Sequence, residues 1–271
     1  EGQYLKSDTR SNISYFLEHN VLLRRFTLSV GVLANYNSAL NEGIHFYPGI
    51  DASYRIGDNF RLYGSWNRAL RMPTFTDLYY EGKTNKGNPD LKPEESEAFE
   101  VGLKYNTYFL RAHIAGFYRK GKNMIDWVKE KPEDIWESQN LTKVDNLGFE
   151  TNLSLLPREL GNERFFIRKI ELGYAFIHQD KDSEGYISNY ALDYLKHKFT
   201  AQLSHSIWKG FSATWYVRWQ DGAGSYTKYE NLKPAYEEPY APYCLVDMKV
   251  NWEYHRLNLY AELNNLLNST Y

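Results

Sequence analysis

The stretch NKGNPDLKPEES, Asn85–Ser96, interrupts two runs that alternate apolar and polar residues. FRLYGSWNRAL (Phe60–Leu70) precedes it and EAFEVGLKYN (Glu97–Asn106) follows. The stretch itself keeps no period, and Gly87, Pro89 and Pro93 punctuate it. Two strand-like runs joined by so long a connection do not form a tight hairpin. The kind of sheet that spaces its strands this way decides the fold.

The alternation extends outward in both directions. Phe26, Leu28, Val30, Val32 and Ala34 share one face, as do Leu110, Ala112, Ile114, Gly116 and Tyr118. The pattern returns at Ile170–Phe176, Phe211–Trp219, Val246–Trp252 and Leu257–Leu263. Period two over such lengths predicts half-buried strands. The opposite face is polar: Arg61, Tyr63, Ser65 and Asn67 in one run, Asp247, Lys249 and Asn251 in another. A β-sandwich and a membrane barrel both produce this alternation. Strand length separates them, because the runs reach about 9–13 residues against the ~9–11 a membrane-spanning strand needs and a mode near 5–6 in soluble proteins. Aromatics also flank the runs, as Tyr105, Tyr118, Trp208, Trp219, Trp252 and Tyr254 do. Connections alternate in length. Short turns fall at Ile56–Asn59, Asn106–Tyr108, Trp208–Gly210 and Glu253–Arg256; longer ones at Asn37–Gly43, Leu70–Ser96, Gly121–Lys143, Lys181–His197 and Asp221–Pro242. The expectation is an all-β, antiparallel transmembrane β-barrel portion of about 12 strands, with short periplasmic turns and long extracellular loops.

Composition agrees. Aromatic residues make up 17% of the 271, with 24 tyrosines. The 32 basic and 34 acidic residues leave a net charge of −2, which argues against nucleic acid as a partner. The lone Cys244 excludes an intrachain disulfide framework. No HExxH, phosphate loop or GxSxG is present, so no catalytic residue, metal site or cofactor is expected.

The run SWNRALRMPTFTDLYYEGKTNKGNPDLKPEESEAFEVGLKYN (Ser65–Asn106) resembles TonB-dependent outer-membrane receptors. Its RMP (Arg71–Pro73), DLY (Asp77–Tyr79) and GNPDLKPE (Gly87–Glu94) stand in the family's order. VDNLGFETNLSL (Val144–Leu155) resembles the family's N-x-G-x-E strand, and LYAELNNLLNSTY (Leu259–Tyr271) its NLxNxxY tail. The segment after RMPTFTDLYY leans toward the cobalamin-receptor branch. The resemblance implies that residues 1–271 are the C-terminal part of a barrel of 22 strands, with the plug domain and the final strand absent. It implies uptake of a bulky scarce nutrient, cobalamin or a ferric siderophore, across the bacterial outer membrane. The implied partners are outer-membrane lipid, the plug and remaining strands, and the TonB energy complex. A passive porin or adhesin barrel and a soluble all-β carbohydrate-binding module are the alternatives.

Loop aromatics supply rigid contact area with a polar handle. Phe75, Tyr79, Tyr80, Trp136, Tyr186, Tyr190, Tyr226, Tyr229, Tyr236 and Tyr240 are therefore the expected ligand-binding residues, packing within the loops being the plainer role for each. Arg71, Glu100, Lys104, Arg111, His113 and Arg119 are expected to face the lumen and the plug, where mutual pairing is the plainer role.

Overall fold

A computed structural model of the protein describes residues 3–4, 6, 8–38, 43–131, 133–161, 164–182, 185–188, 194–230 and 233–270. Twelve long strands dominate it: β1 (Asn12–Leu22), β2 (Phe26–Asn37), β3 (Ile44–Ile56), β4 (Phe60–Arg71), β5 (Glu94–Asn106), β6 (Leu110–Lys129), β7 (Trp136–Leu155), β8 (Ile167–Asp182), β9 (Tyr194–Trp208), β10 (Phe211–Ala223), β11 (Tyr243–Tyr254) and β12 (Leu257–Leu263). Each pairs antiparallel with its neighbour in sequence, so the sheet is a meander. Among the described residues β1 pairs along its length with β2 alone and β12 with β11 alone. Both edge strands are exposed on nearly every side chain.

Register fixes which side chains share a face, because a one-residue slip would exchange the two faces. Leu103 opposes Ile114, and Lys104 opposes His113. The apolar set points outward: Val101, Ile114 and Leu147 are 63%, 52% and 57% exposed. The polar set points inward. One cavity of about 550 Å³ touches Lys104 of β5, Arg111 of β6, Asn152 of β7, Glu171 of β8, Gln202 of β9, Arg218 of β10 and Asp247 of β11. Seven consecutive strands border one cavity only if the sheet curls strongly around it. The concave wall is thus polar and the convex wall apolar, as lipid outside a barrel requires.

Rings gather near the short turns. Phe60 packs on Tyr105, Phe165 on Phe166, Phe211 on Trp252 and Trp252 on Tyr254, with centroids 4.6, 5.2, 5.8 and 5.7 Å apart. This band has the composition of an interfacial belt. The turns are as tight as the sequence requires. Lys209 and Gly210 both have positive φ, 24° and 87°, the signature of a two-residue hairpin turn matched to strand twist.

The long-loop rim departs from expectation. Gly121–Lys143 reads as a loop but is mostly strand: β6 and β7 are 20 residues each and leave only residues 130–135 between them. Apolar packing of Val128, Leu141 and Val144 holds this ribbon together. Asp221–Pro242 likewise contains a small hairpin, Ser225–Glu230 with Lys233–Pro239, separate from the main sheet.

Candidate functional site

The concave wall gathers several of the residues expected there. Tyr63 lies across Gly102, where a Cβ would sit 2.5 Å from its ring. Its hydroxyl donates to Glu100 Oε1 at 2.7 Å. His113 Nε2 lies 2.7 Å from the same hydroxyl, so with that proton committed to Glu100 the imidazole N–H is the donor. His113 Nδ1 is 3.7 Å from Glu150, and Lys104 Nζ sits 4.6 Å from the Tyr63 ring centroid. Arg111 joins Lys104 and His113 along the 550 Å³ cavity, and Arg119 joins Glu100 along another of about 360 Å³. Arg71 stands apart, at the long-loop rim.

There it organises the connection between β4 and β5. Arg71 grips buried Glu94 through Nε and Nη2 at 2.6 and 2.5 Å, and the carboxylate also accepts from the Ile125 amide at 2.8 Å. This pairing holds the guanidinium above its ordinary pKa. One helical turn, Phe75–Tyr79, follows, capped reciprocally by Thr74 and Asp77. Gly87 packs against that turn: a Cβ would fall 2.8 Å from the Leu78 carbonyl carbon and 2.9 Å from the Asp77 oxygen. The Asn88 side chain accepts from the Asp90 amide, closing the turn at Pro89. Asn140 of β7 exchanges hydrogen bonds with the Lys92 backbone at 2.8 and 2.9 Å. The Asn85–Ser96 loop is thus stapled to the β6–β7 ribbon.

Those of the expected ligand-binding aromatics that are described lie at three places: the helical turn, the β6–β7 ribbon and the small hairpin with its flank. Phe75 and Tyr79 stack at 6.2 Å on the helical turn, Arg10 lies over Phe75, and the Tyr79 hydroxyl donates to Asp8 at 2.9 Å. That proton is held, its pKa raised, by the carboxylate it binds. Tyr80 meets Tyr4 edge-on. On the ribbon, Trp136 lies under Lys129 and Tyr186 packs on the Val128 cluster. Tyr226 and Tyr240 contact each other on the small hairpin, where Tyr236 lies against Lys228. Tyr190 falls outside the described residues, as does the side chain of Tyr229. Tyr226, Tyr240 and Tyr243 border a cavity of about 700 Å³ at the mouth. Most of the other described rings contact neighbouring side chains.

The other family-like motifs are also structural. Gly148 of the N-x-G-x-E strand opposes Phe117, whose ring reaches within 2.5 Å of where a Cβ would stand. In the tail, Asn265 adopts φ 51° and bonds to Asp247, while Ser269 bonds to Asn265 and to the Cys244 carbonyl.

Residues 2–266 match the family model described as TonB dependent receptor-like, beta-barrel. The chain belongs to this family. TonB-dependent receptor barrels reside in the outer membrane, and the apolar convex wall is the surface that such a membrane covers. The vitamin B12 transporter BtuB of Vibrio vulnificus is 26% identical over 225 residues, covering 62% of this chain and 36% of that protein. The ferripyoverdine receptor of Pseudomonas aeruginosa is 24% identical over 292 residues, covering all of this chain and 33% of that receptor. The crystal structure of the siderophore receptor PirA from Pseudomonas aeruginosa superposes with a TM-score of 0.71 at 16% identity, over 96% of this chain and 44% of that one. The chain therefore spans about a third of the length of the curated relatives it matches.

Proposed function

We propose that this chain is wall and mouth of an active-transport receptor that takes a bulky metal chelate, cobalamin or a ferric siderophore, across the outer membrane with energy from the TonB system. The family match across a polar-concave, apolar-convex wall carries this reading. The receptor performs no covalent chemistry. Its lumen-facing residues meet a plug domain supplied by the rest of the protein, and its loops meet the ligand. Residues 1–271 then form about 12 of 22 strands, and the one-sided pairing of β1 and β12 supports that. In hydrocarbon an unpaired edge costs several kcal/mol per group, so further strands are needed to close the wall. The test is uptake by the full-length receptor in a strain lacking its gene, with radiolabelled cobalamin and ferric siderophores, with and without functional TonB. Energy-dependent uptake of one of them is expected. Passive, TonB-independent entry of small solutes would instead establish a porin.

A further inference from the structure

The concave face of β1–β4, near the long-loop rim, carries a second kind of surface. Asn12 and Asn37 oppose each other across β1 and β2, and Asn35 opposes His45 across β2 and β3. Tyr47 stands two residues along from His45 on the same face, and Asn67 faces it from β4 opposite Gly49. The amides are already ordered: Asn35 Nδ2 donates to Asn12 Oδ1 at 2.9 Å and to Ser14 Oγ at 2.8 Å. Asn35 is 7% exposed.

Three polar atoms here have no hydrogen-bond partner among the described residues: Asn35 Oδ1, His45 Nε2 and the Tyr47 hydroxyl. A buried polar atom left unpaired costs about 1–3 kcal/mol. Three of them on one patch of wall call for a partner, and two of the three side chains, Asn35 and Tyr47, line a cavity. The patch borders a cavity of about 640 Å³, the size of a small-molecule site, lined by Asn12, Asn35, Asn37, Tyr47 and Asn67 among others.

Charge says what the partner is. Arg10 and Arg68 are the cations lining the cavity, balanced there by Glu18 and Asp51. Arg10 donates to the Pro73 carbonyl, and Arg68 pairs with Glu95 and Glu97. A multiply anionic chelate needs a surplus of cations, whereas this wall sets two carboxylates against its two guanidiniums and otherwise offers amides and a phenol for polar contact. Primary amides pair with primary amides and hydroxyls, giving and accepting at once.

We propose that the β1–β4 concave face is a binding site for the neutral, amide- or hydroxyl-bearing periphery of a metal chelate, read by Asn12, Asn35, Asn37, Tyr47 and Asn67. This rests on the receptor reading above and narrows it to uncharged ligands.

The test uses the full-length receptor in detergent, with cyanocobalamin as the neutral amide-bearing probe and ferric enterobactin as the trianionic one. Saturable binding of cyanocobalamin is expected, uncompeted by ferric enterobactin. Tyr47→Phe and Asn35→Leu, which remove the unpaired hydroxyl and the unpaired amide oxygen, should each weaken it by about tenfold, the scale of one lost hydrogen bond. Unchanged heat-modifiable gel mobility confirms that each variant folds. Folded variants with wild-type affinity overturn the site. Preferential binding of ferric enterobactin overturns the neutral-ligand assignment while leaving the receptor reading intact. Absence of TonB-dependent uptake of any chelate overturns the receptor reading and this proposal with it.

Discussion

Two external connections of this barrel, Met72–Pro93 and Gly224–Pro242, look alike as loops but are built in opposite ways. The first is tied at every few residues: Arg71 to Glu94, Thr74 to Asp77, Gly87 to the helical turn, and Lys92 to Asn140. The second holds its own two-stranded sheet, whose Lys228–Glu238 ion pair and Tyr226–Glu238 hydrogen bond lie within the hairpin. These bonds hold Lys228 above and Glu238 below their ordinary pKa values. The first connection is part of the wall's framework. The second is an appendage that presents tyrosines. Length and aromatic content alone do not distinguish a loop that reaches for a ligand from one that braces the sheet.

The largest expected effect is at the brace. Arg71→Ala leaves the buried Glu94 carboxylate without its cation, which should cost about 3 kcal/mol locally. Hydrogen exchange across residues 75–92 should accelerate by about two orders of magnitude, while the hairpin at 225–239 keeps its rates. Equal acceleration in both would show that the connections are coupled and the contrast false.

Gly87→Ala comes next. Its Cβ meets backbone atoms, which yield less readily than side chains, so about 1–3 kcal/mol is expected, read as earlier proteolytic nicking of the loop. Wild-type resistance would mean that the packing under Gly87 is slack.

Deleting residues 225–239 should change wall stability by less than about 0.5 kcal/mol, since the hairpin shares no ladder with the sheet. The heat-modifiable gel shift should persist and chelate capture by the full-length receptor should weaken. A destabilised wall would make the hairpin a second brace.

The smallest effect is a pH dependence. Asp8 accepts from Lys6 and Tyr79, and these bonds pull its pKa down to about 2. A carboxylate depressed in the folded state contributes stability that is full above its ordinary value and lost as pH falls through the folded value. Exchange protection of Phe75–Tyr79 should thus be flat from pH 7 to about 5, then decline below about pH 4 toward pH 2. Decline already at pH 6 would implicate another group.

Much of the wall was legible because period two is local: the face of Ile114 and that of His113 follow from parity once a strand is granted. Turn positions were legible for the same reason, through Gly57 and Gly210 and their neighbours. The ribbon at Gly121–Lys143 was not. Asp126 and Ser138, both buried within it, break the apolar signal, and Lys131, Glu133 and Asp134 crowd its tip. What makes it strand is pairing across the hairpin and its Val128 cluster, visible only in three dimensions. The asparagine face of β1–β3 was no more legible. Asn35 and Asn37, with His45 and Tyr47, do share parity, and that was the available signal.

The ribbon raises a matter of solubility. Beyond Lys122 and Lys143 it leaves the wall strands behind, since the β5 ladder ends at Glu95–Lys122 and the β8 ladder at Lys143–Asp182. Two bare strand edges standing in water would invite any extended chain to add on. Each edge carries a cover. Asn85–Lys86 pairs in parallel with Trp136–Glu137 on one side, and Ile187–Ser188 pairs with Val128–Lys129 on the other. Two residues apiece cut the template short near the ribbon's tip, so the longest strands of the sheet offer neighbouring receptors a shorter edge on which to aggregate.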